Sequence, residues 1–399
     1  MTAKLLAQKL AESERKVRVI YVGTYIPREC GIATFTKDLT SSINLLNPEN
    51  LAEIIAINEP GVDHNYPWEV KYRIDQNDQN SYLNAVEYIN QSSCEIVNIQ
   101  HEFGIYGAED GKNLFFLLDN ITKPVVTTLH TVLSNPSPRK RKTIRHLAKK
   151  SKALVVMIDE AVERLIKDYG IPAKKIVLIP HGVPDIPFSP SSPHKKKLNL
   201  SKKMVLSTFG LLSSGKGIEY AIKSIPEITK DFKDFIYLVI GQTHPVILSQ
   251  EGEKYRKSLE RLIEKLKIKK YVRFVNRYLS LNELIKYLQA TDIYVTPYLS
   301  PEQITSGTLA YAVGAGKPCV STSYVYAKSV LSNGRGCVVP FCDEGEIANK
   351  VKYLLENKEQ RIKMAKKAYL YGRNMTWHNV ALKYLDLFSF IIKKNNKNK

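Results

Sequence analysis

"MVLSTFGLLSSGKGIEYAIKSI", residues 204–225, decides how the chain is to be read. Six mostly apolar residues run into a glycine-bearing loop. From Ile218 onward the apolar positions recur at helical spacing, so the stretch reads strand, loop, helix. The loop "FGLLSSGKG", Phe209 to Gly217, places Gly210, four residues, Gly215, Lys216 and then Gly217. A phosphate-cradling P-loop carries Ser or Thr after that lysine, and the hydroxyl holds magnesium. Gly217 has no hydroxyl to offer. The loop therefore has the charge of a phosphate site without its metal ligand.

The same rhythm runs through the whole chain. Candidate strands are "VRVIYV", "AEIIAI", "EIVNIQ", "PVVTTL", "ALVVMI" and "KIVLIP", then "MVLSTF", "FIYLVI", "YVRFVN", "DIYVTP", "KPCVST" and "GCVVPF". Amphipathic helical segments separate most of them. Strand–helix alternation implies parallel sheets covered by helices on both faces. Two series of six strands imply an α/β chain with two doubly wound, Rossmann-like domains. "DIPFSPSSPHKKKLNLSKK", residues 185–203, is proline-rich and aperiodic and reads as the linker between them.

Composition sets further bounds. Of 399 residues, 44% are hydrophobic and 25% charged, so a sizeable core can form. No apolar run approaches the ~18 residues of a membrane span. "MTAKLLAQKLAESERK" lacks the apolar centre of a signal peptide. The five cysteines, Cys30, Cys94, Cys319, Cys337 and Cys342, form no C-x-x-C pair. A reducing, cytoplasmic setting is expected, with neither a disulfide framework nor a zinc site. The net charge is +20, from 59 Lys and Arg against 39 Asp and Glu. Such a balance suits anionic partners, or it reflects a lysine- and asparagine-rich surface. "SPRKRKTIRHLAKKSK", residues 137–152, reads as a basic amphipathic helix able to rest on the inner face of an anionic membrane. The tail "KKNNKNK" reads as disordered.

In open parallel sheets, ligands bind beyond the carboxyl ends of the strands. Several polar residues fall there. Gly31 precedes a helix expected to start near Thr34, and its loop offers free amides at a helix N-terminus. The third strand ends at His101 and Glu102, the fourth before His130 and the sixth before His181. Three histidines at strand ends of one domain suit a polar site that orients hydroxyls or moves a proton near neutral pH. In the second domain, Lys216 lies at the start of a helix. "TSGTL", Thr305 to Leu309, opens another, with Ser306 and Gly307 at its beginning. No Asp-x-Asp pair occurs anywhere in the chain.

These residues resemble the retaining glycosyltransferases of family four. That family's donor domain has a strand, Gly-Arg-Leu, three residues, Lys-Gly and a helix, matched here by Gly210, Leu211, Leu212, Lys216 and Gly217. Gly316, Lys317 and Pro318 match the Gly-x-Pro that closes a later helix. "PRECGIATFTKDL", "QHEFGIYG", "TLHT", "IPHGVPD", "GQTHP", "SGTLAYAVGAGKP" and "GRGCVVPF" are similar to a bacterial, mannosyltransferase-like branch.

The resemblance implies the GT-B fold, with two Rossmann-like domains facing across a cleft. Residues 1–188 would bind the acceptor, residues 189–373 the nucleotide-sugar donor, and a C-terminal helix, 374–399, would cross back onto the first domain. It implies metal-independent hexosyl transfer, mannosyl from GDP-mannose first and glucosyl from UDP-glucose second. The acceptor would be a saccharide or a lipid-linked one, with no cofactor and no nucleic acid. His130 would meet the donor sugar and Lys216 the diphosphate. Glu302 or Gln303 would meet sugar hydroxyls and Arg277 with Tyr278 the base. Gly31, Gly210, Thr305, Ser306, Gly307, Thr308 and Leu309 would complete donor binding. His101, Glu102 and His181 would lie on the acceptor side.

Two positions depart from the family pattern. Leu211 stands where the phosphate-binding arginine belongs. Ala310 or Tyr311, depending on register, stands where the second glutamate of E-x7-E belongs. These departures motivate the alternative of a non-catalytic nucleotide-sugar-binding or regulatory protein on the same fold.

Overall fold

Fully buried β-branched runs are what a parallel sheet covered on both faces requires. The computed structural model, which describes residues 16–397, contains two such sheets. The chain divides into two compact units, residues 1–182 with 377–399, and residues 183–376. The expected borders, 188/189 and 373/374, lie a few residues inside the second unit. The N-terminal segment, residues 1–15, and the last two residues lie outside the described residues.

Unit 1 holds seven parallel strands: β1 (Val19–Gly23), β2 (Glu53–Asn58), β3 (Val70–Asp75), β4 (Ile96–His101), β5 (Val125–Leu129), β6 (Ala153–Val156) and β7 (Ile176–Leu178). Their order is β3-β2-β1-β4-β5-β6-β7. β3, "VKYRID", is a strand the apolar-run criterion misses. It lies at the sheet edge and alternates apolar with charged residues, and only Ile74 is buried. Unit 2 holds six: β8 (Met204–Phe209), β9 (Phe235–Ile240), β10 (Val272–Val275), β11 (Ile293–Thr296), β12 (Cys319–Thr322) and β13 (Gly336–Val339). Their order is β10-β9-β8-β11-β12-β13. Each order reverses once, between β1 and β4 in unit 1 and between β8 and β11 in unit 2.

Three sequence expectations are corrected. The supposed linker is packed structure within unit 2. It contains a helix, Ser192–Lys197, whose Lys195 ammonium lies 2.5 Å from the Asp292 carboxylate at the start of β11. That carboxylate also accepts from Ser191 Oγ at 2.6 Å and from the Val205 amide at 2.7 Å, so it ties the segment to two strands. The basic helix forms at Pro138–Lys150, but its apolar face is already used. Ile144 and Leu147 are wholly buried inside the protein, so no apolar stripe is left to enter a lipid interface. The described part of the tail is helical rather than disordered, since the last helix runs Trp377–Lys397; its final two residues lie outside the described residues. No described helix is long and apolar enough to cross a membrane.

That last helix completes the core of unit 1. Trp377, Val380, Ala381, Tyr384, Leu385, Phe388 and Ile391 pack with Tyr21, Phe35, Leu39, Ile43 and Val155. Phe388 is fully buried, with its ring edge-on to Tyr21 at 6.4 Å. Removing such a ring costs transfer energy and leaves a cavity. Phe388→Ala should lower the stability of unit 1 by about 3–5 kcal/mol. Hydrogen exchange should show the loss in β1, β2 and β4 and not in β8 or β9; equal protection in both proteins would refute the packing.

Candidate functional site

Parallel strands place all their carboxyl ends on one edge of each sheet, so each unit gathers its own set of loop residues there.

In unit 2 the loop after β8 wraps against the loop after β11. Ser214–Lys216 form a single 3-10 turn, and Gly217 takes a left-handed φ of 60° before the helix Ile218–Asp231. A side chain at Gly217 would place its Cβ 2.1 Å from the Pro297 carbonyl oxygen. No P-loop serine or threonine fits that position. The helix start is not a phosphate cradle either, because the Ile218 amide donates to the Tyr255 hydroxyl at 3.0 Å. What the loop delivers is Lys216. Its Nζ lies 4.1 Å from the centre of the Tyr298 ring. Burial pushes the amine down to about 8. The Leu299 amide donates to the Gly215 carbonyl at 3.0 Å and joins the two loops.

Tyr298 connects Lys216 to the next element. Its hydroxyl lies 2.7 Å from Thr308 Oγ1, which lies 3.2 Å from Ser306 Oγ. Ser306 caps the helix Gly307–Gly314 by accepting from the Leu309 amide at 3.4 Å. The Leu309 amide is therefore occupied, which corrects its place among the candidate phosphate donors. Gly307 and Thr308 remain at the positive end of the helix. Gly210 adjoins them, since a Cβ there would stand 3.1 Å from Thr308 Cγ2. Gln303 folds its Nε2 onto the Thr305 carbonyl at 2.9 Å, which fixes the approach to Ser306. Glu302 is half-buried on the same loop. Ala310 and Tyr311 are both buried, so neither register gives the second carboxylate of the family pattern.

Arg277 and Tyr278 follow β10. Arg277 Nη1 lies 2.6 Å from Glu283 Oε1, and the Tyr278 amide donates to Gln242 Oε1 at 3.2 Å. Tyr278 is 40% exposed. Gln242 and Tyr298 are site residues that the sequence reading missed. Each directly follows or nearly follows a recognised strand, at Ile240 and Thr296, and that position is the signal that could have found them.

In unit 1 the helix Gly31–Leu46 begins three residues earlier than expected, with Cys30 as its cap; Cys30 Sγ accepts from the Ala33 amide at 3.3 Å. Phe35 on that helix gathers three rings: His130 at 4.8 Å, His181 at 5.1 Å and Trp377 at 5.1 Å. Burial, reinforced by the neighbouring His181 and His101, pushes the His130 imidazole down to about 3. Burial pushes His181 down to about 4, against a 2.6 Å hydrogen bond to the Gly182 carbonyl. Both are neutral rings near pH 7, so the expected proton carriers are corrected to uncharged hydrogen-bonding groups.

His101 is corrected more sharply. It is fully buried between Phe103 and Tyr106, at ring distances of 5.1 and 6.1 Å, and burial takes it to about 3. A sealed imidazole cannot meet an acceptor. Glu102 does reach the edge. It accepts from Thr131 Oγ1 and, at 2.9 Å, from the Phe103 amide, and burial raises its carboxyl above the ordinary range.

The geometry makes Gly217 a test of the loop. Gly217→Ala must adopt a strained backbone and displace Pro297. A cost of roughly 1–3 kcal/mol from backbone alone is expected, together with loss of the Lys216–Tyr298 contact. A crystal structure of the variant with Lys216 still over Tyr298 would contradict this reading.

Residues 191–371 match the family "Glycosyl transferases group 1", and residues 70–185 match "Glycosyltransferase Family 4". An uncharacterised glycosyltransferase of Methanocaldococcus jannaschii is 26% identical over 257 residues, 63% of this chain and 62% of that protein. A D-inositol 3-phosphate glycosyltransferase of Corynebacterium urealyticum is 25% identical over 243 residues, 59% of this chain and 56% of that protein. The chain thus spans less than two thirds of either relative. Among solved structures, Anabaena HepE in complex with UDP has a TM-score of 0.75 at 14% identity, covering 93% of this chain and 99% of its own. Sucrose-phosphate synthase from Thermosynechococcus elongatus has a TM-score of 0.75 at 15% identity, covering 94% and 100%. These likenesses show the GT-B fold, and the two family matches make each unit similar to a glycosyltransferase domain, the first to family four and the second to group 1.

Proposed function

We propose that the protein is a metal-independent retaining glycosyltransferase. It moves a hexosyl group from a nucleoside diphosphate sugar to a saccharide or lipid-linked acceptor. The observation that carries this reading is the Lys216–Tyr298–Thr308–Ser306 constellation at the point where the strand order of unit 2 reverses.

Sugar departure leaves negative charge on the diphosphate. That charge needs donors already in place. Lys216 supplies a fixed cation, and the amides of Gly307 and Thr308 supply a helix N-terminus. Desolvation strengthens both, because the attraction between the ammonium and a phosphate is far larger outside bulk water. Fixed positive charge of this kind does the work that a metal ion does in Asp-x-Asp enzymes. Arg277 and Tyr278 border the place for the base, and Glu302 offers a carboxylate to sugar hydroxyls. In unit 1, neutral His130 offers a hydrogen bond to a hydroxyl without adding charge. Motif resemblance favours mannosyl transfer from GDP-mannose over glucosyl transfer from UDP-glucose. Thermal shifts with a panel of nucleotide sugars decide between them.

Lys216→Ala tests the centre of this reading. It should lower turnover about 10²–10³-fold, roughly 2–4 kcal/mol, while donor affinity falls less. Leu211 stands in place of the family's second cation, so that arginine is not there to compensate. Turnover within a few-fold of the unaltered enzyme would mean that the lysine is only part of the loop.

A separate expectation concerns metal. Transfer assayed with excess chelator should proceed at the same rate as without it. A loss restored by magnesium or manganese would overturn the fixed-charge mechanism.

A further inference from the structure

The interior of unit 1 carries a line of amides and hydroxyls that the proposed chemistry does not use directly. His130 Nε2 lies 2.9 Å from Gln100 Oε1. Gln100 Nε2 donates to Asn98 Oδ1 at 2.5 Å. Asn98 Nδ2 donates to the Val126 carbonyl at 3.3 Å and to Thr128 Oγ1 at 3.4 Å. Thr128 Oγ1 lies 2.9 Å from the Tyr384 hydroxyl on the C-terminal helix. Asn98, Gln100 and Thr128 are fully buried.

The polarity of this line follows from its one fixed end. A backbone carbonyl only accepts, so Asn98 must turn its NH2 toward Val126 and its oxygen toward Gln100. Gln100 must answer that oxygen with its own NH2. Its oxygen is then left facing His130, which must present Nε2–H. Turning Gln100 alone sets oxygen against oxygen at Asn98. Turning both amides sets oxygen against the Val126 carbonyl. Either arrangement leaves buried polar atoms unpaired, at about 1–3 kcal/mol for each unsatisfied group. A neutral imidazole carries one N–H, so Nδ1 is the bare nitrogen. Among the described residues Nδ1 has no hydrogen-bond partner.

We infer that Gln100 is a positioning residue: it holds His130 in the Nε2–H tautomer, which keeps Nδ1 as the hydrogen-bond acceptor for a hydroxyl of the sugar substrate. The tautomer follows from unit 1 alone, whereas the substrate hydroxyl rests on the glycosyl-transfer reading. The arrangement selects a hydroxyl, which can donate, over a group that can only accept. It also explains a fully buried amide near the centre of the sheet. Sequence reading passes over Gln100 because it lies inside the strand run "EIVNIQ", one residue before the histidine that draws attention.

The test uses the full chain with 15N-labelled histidine, and the His130 signals are assigned by their absence in His130→Gln. Between pH 6 and 8 the unaltered protein should show Nε2 protonated and Nδ1 bare. Gln100→Met keeps the side-chain length but offers no oxygen. It should mix the two tautomers and lower turnover about 10²-fold, as misplacement of a reacting partner does, with donor KM little changed. A protonated Nδ1 in the unaltered protein overturns the inference, and that spectrum decides even if Gln100→Met does not fold. Unchanged tautomer or unchanged turnover in folded Gln100→Met overturns it as well. An Nε2–H tautomer that Gln100→Met disperses, in a protein that transfers no sugar, would uphold the positioning by Gln100 and overturn the proposed function instead.

Discussion

A parallel sheet sends every strand toward the same edge, and the rest of the molecule follows from that constraint. Covering both faces with helices forces each connection to leave a strand's carboxyl end, turn and return over the sheet. Where the strand order reverses, adjacent connections turn to opposite faces and leave room beyond the strand ends. In unit 2 that place is filled by the loops after β8 and β11, and they bring Lys216, Tyr298 and Thr308 together. In unit 1 the reversal lies between β1 and β4, with Gly23 at the end of β1 packed against Gln100 on β4.

The two units use burial for opposite electrostatic ends. In unit 1, desolvation removes charge: His101, His130 and His181 are all held neutral at pH 7. A neutral ring costs less to bury than a charged one, and His130 and His181 each hydrogen-bond as neutral rings. In unit 2, desolvation loads a charge. Lys216 stays protonated at pH 7, but with its amine lowered to about 8 it is a poorly solvated cation. The lowered value also links to stability: between pH 8 and 10.5 the unfolded chain binds more protons, so folding gains stability as pH rises through that window.

Much of this was legible in the sequence, and the misses have physical causes. Twelve of the thirteen described strands announce themselves as short, mostly apolar runs, and central ones such as β1 and β9 are buried throughout. β3 does not, because an edge strand needs only one buried side chain, Ile74. The proline-rich stretch before β8 looked like a linker because its anchor is a long-range ion pair, Lys195 to Asp292, which no local pattern reveals. Residues that follow strands were found when they are chemically conspicuous, as Lys216 and His130 are. Those that act by contact were missed. Tyr298 is an ordinary aromatic residue until the fold sets it under Lys216, and Gln100 is an ordinary amide until a carbonyl one strand away orients it.

The central claim is that Lys216 is a desolvated ammonium waiting for a diphosphate. Nuclear magnetic resonance of 13C-labelled lysine, with Lys216 assigned by substitution, follows that amine directly. In the free protein it should titrate near pH 8. With a nucleoside diphosphate bound, the anion favours the charged form and the titration should move upward. A lysine that titrates at its ordinary value in the free protein, or one that ignores the bound nucleotide, would contradict the claim.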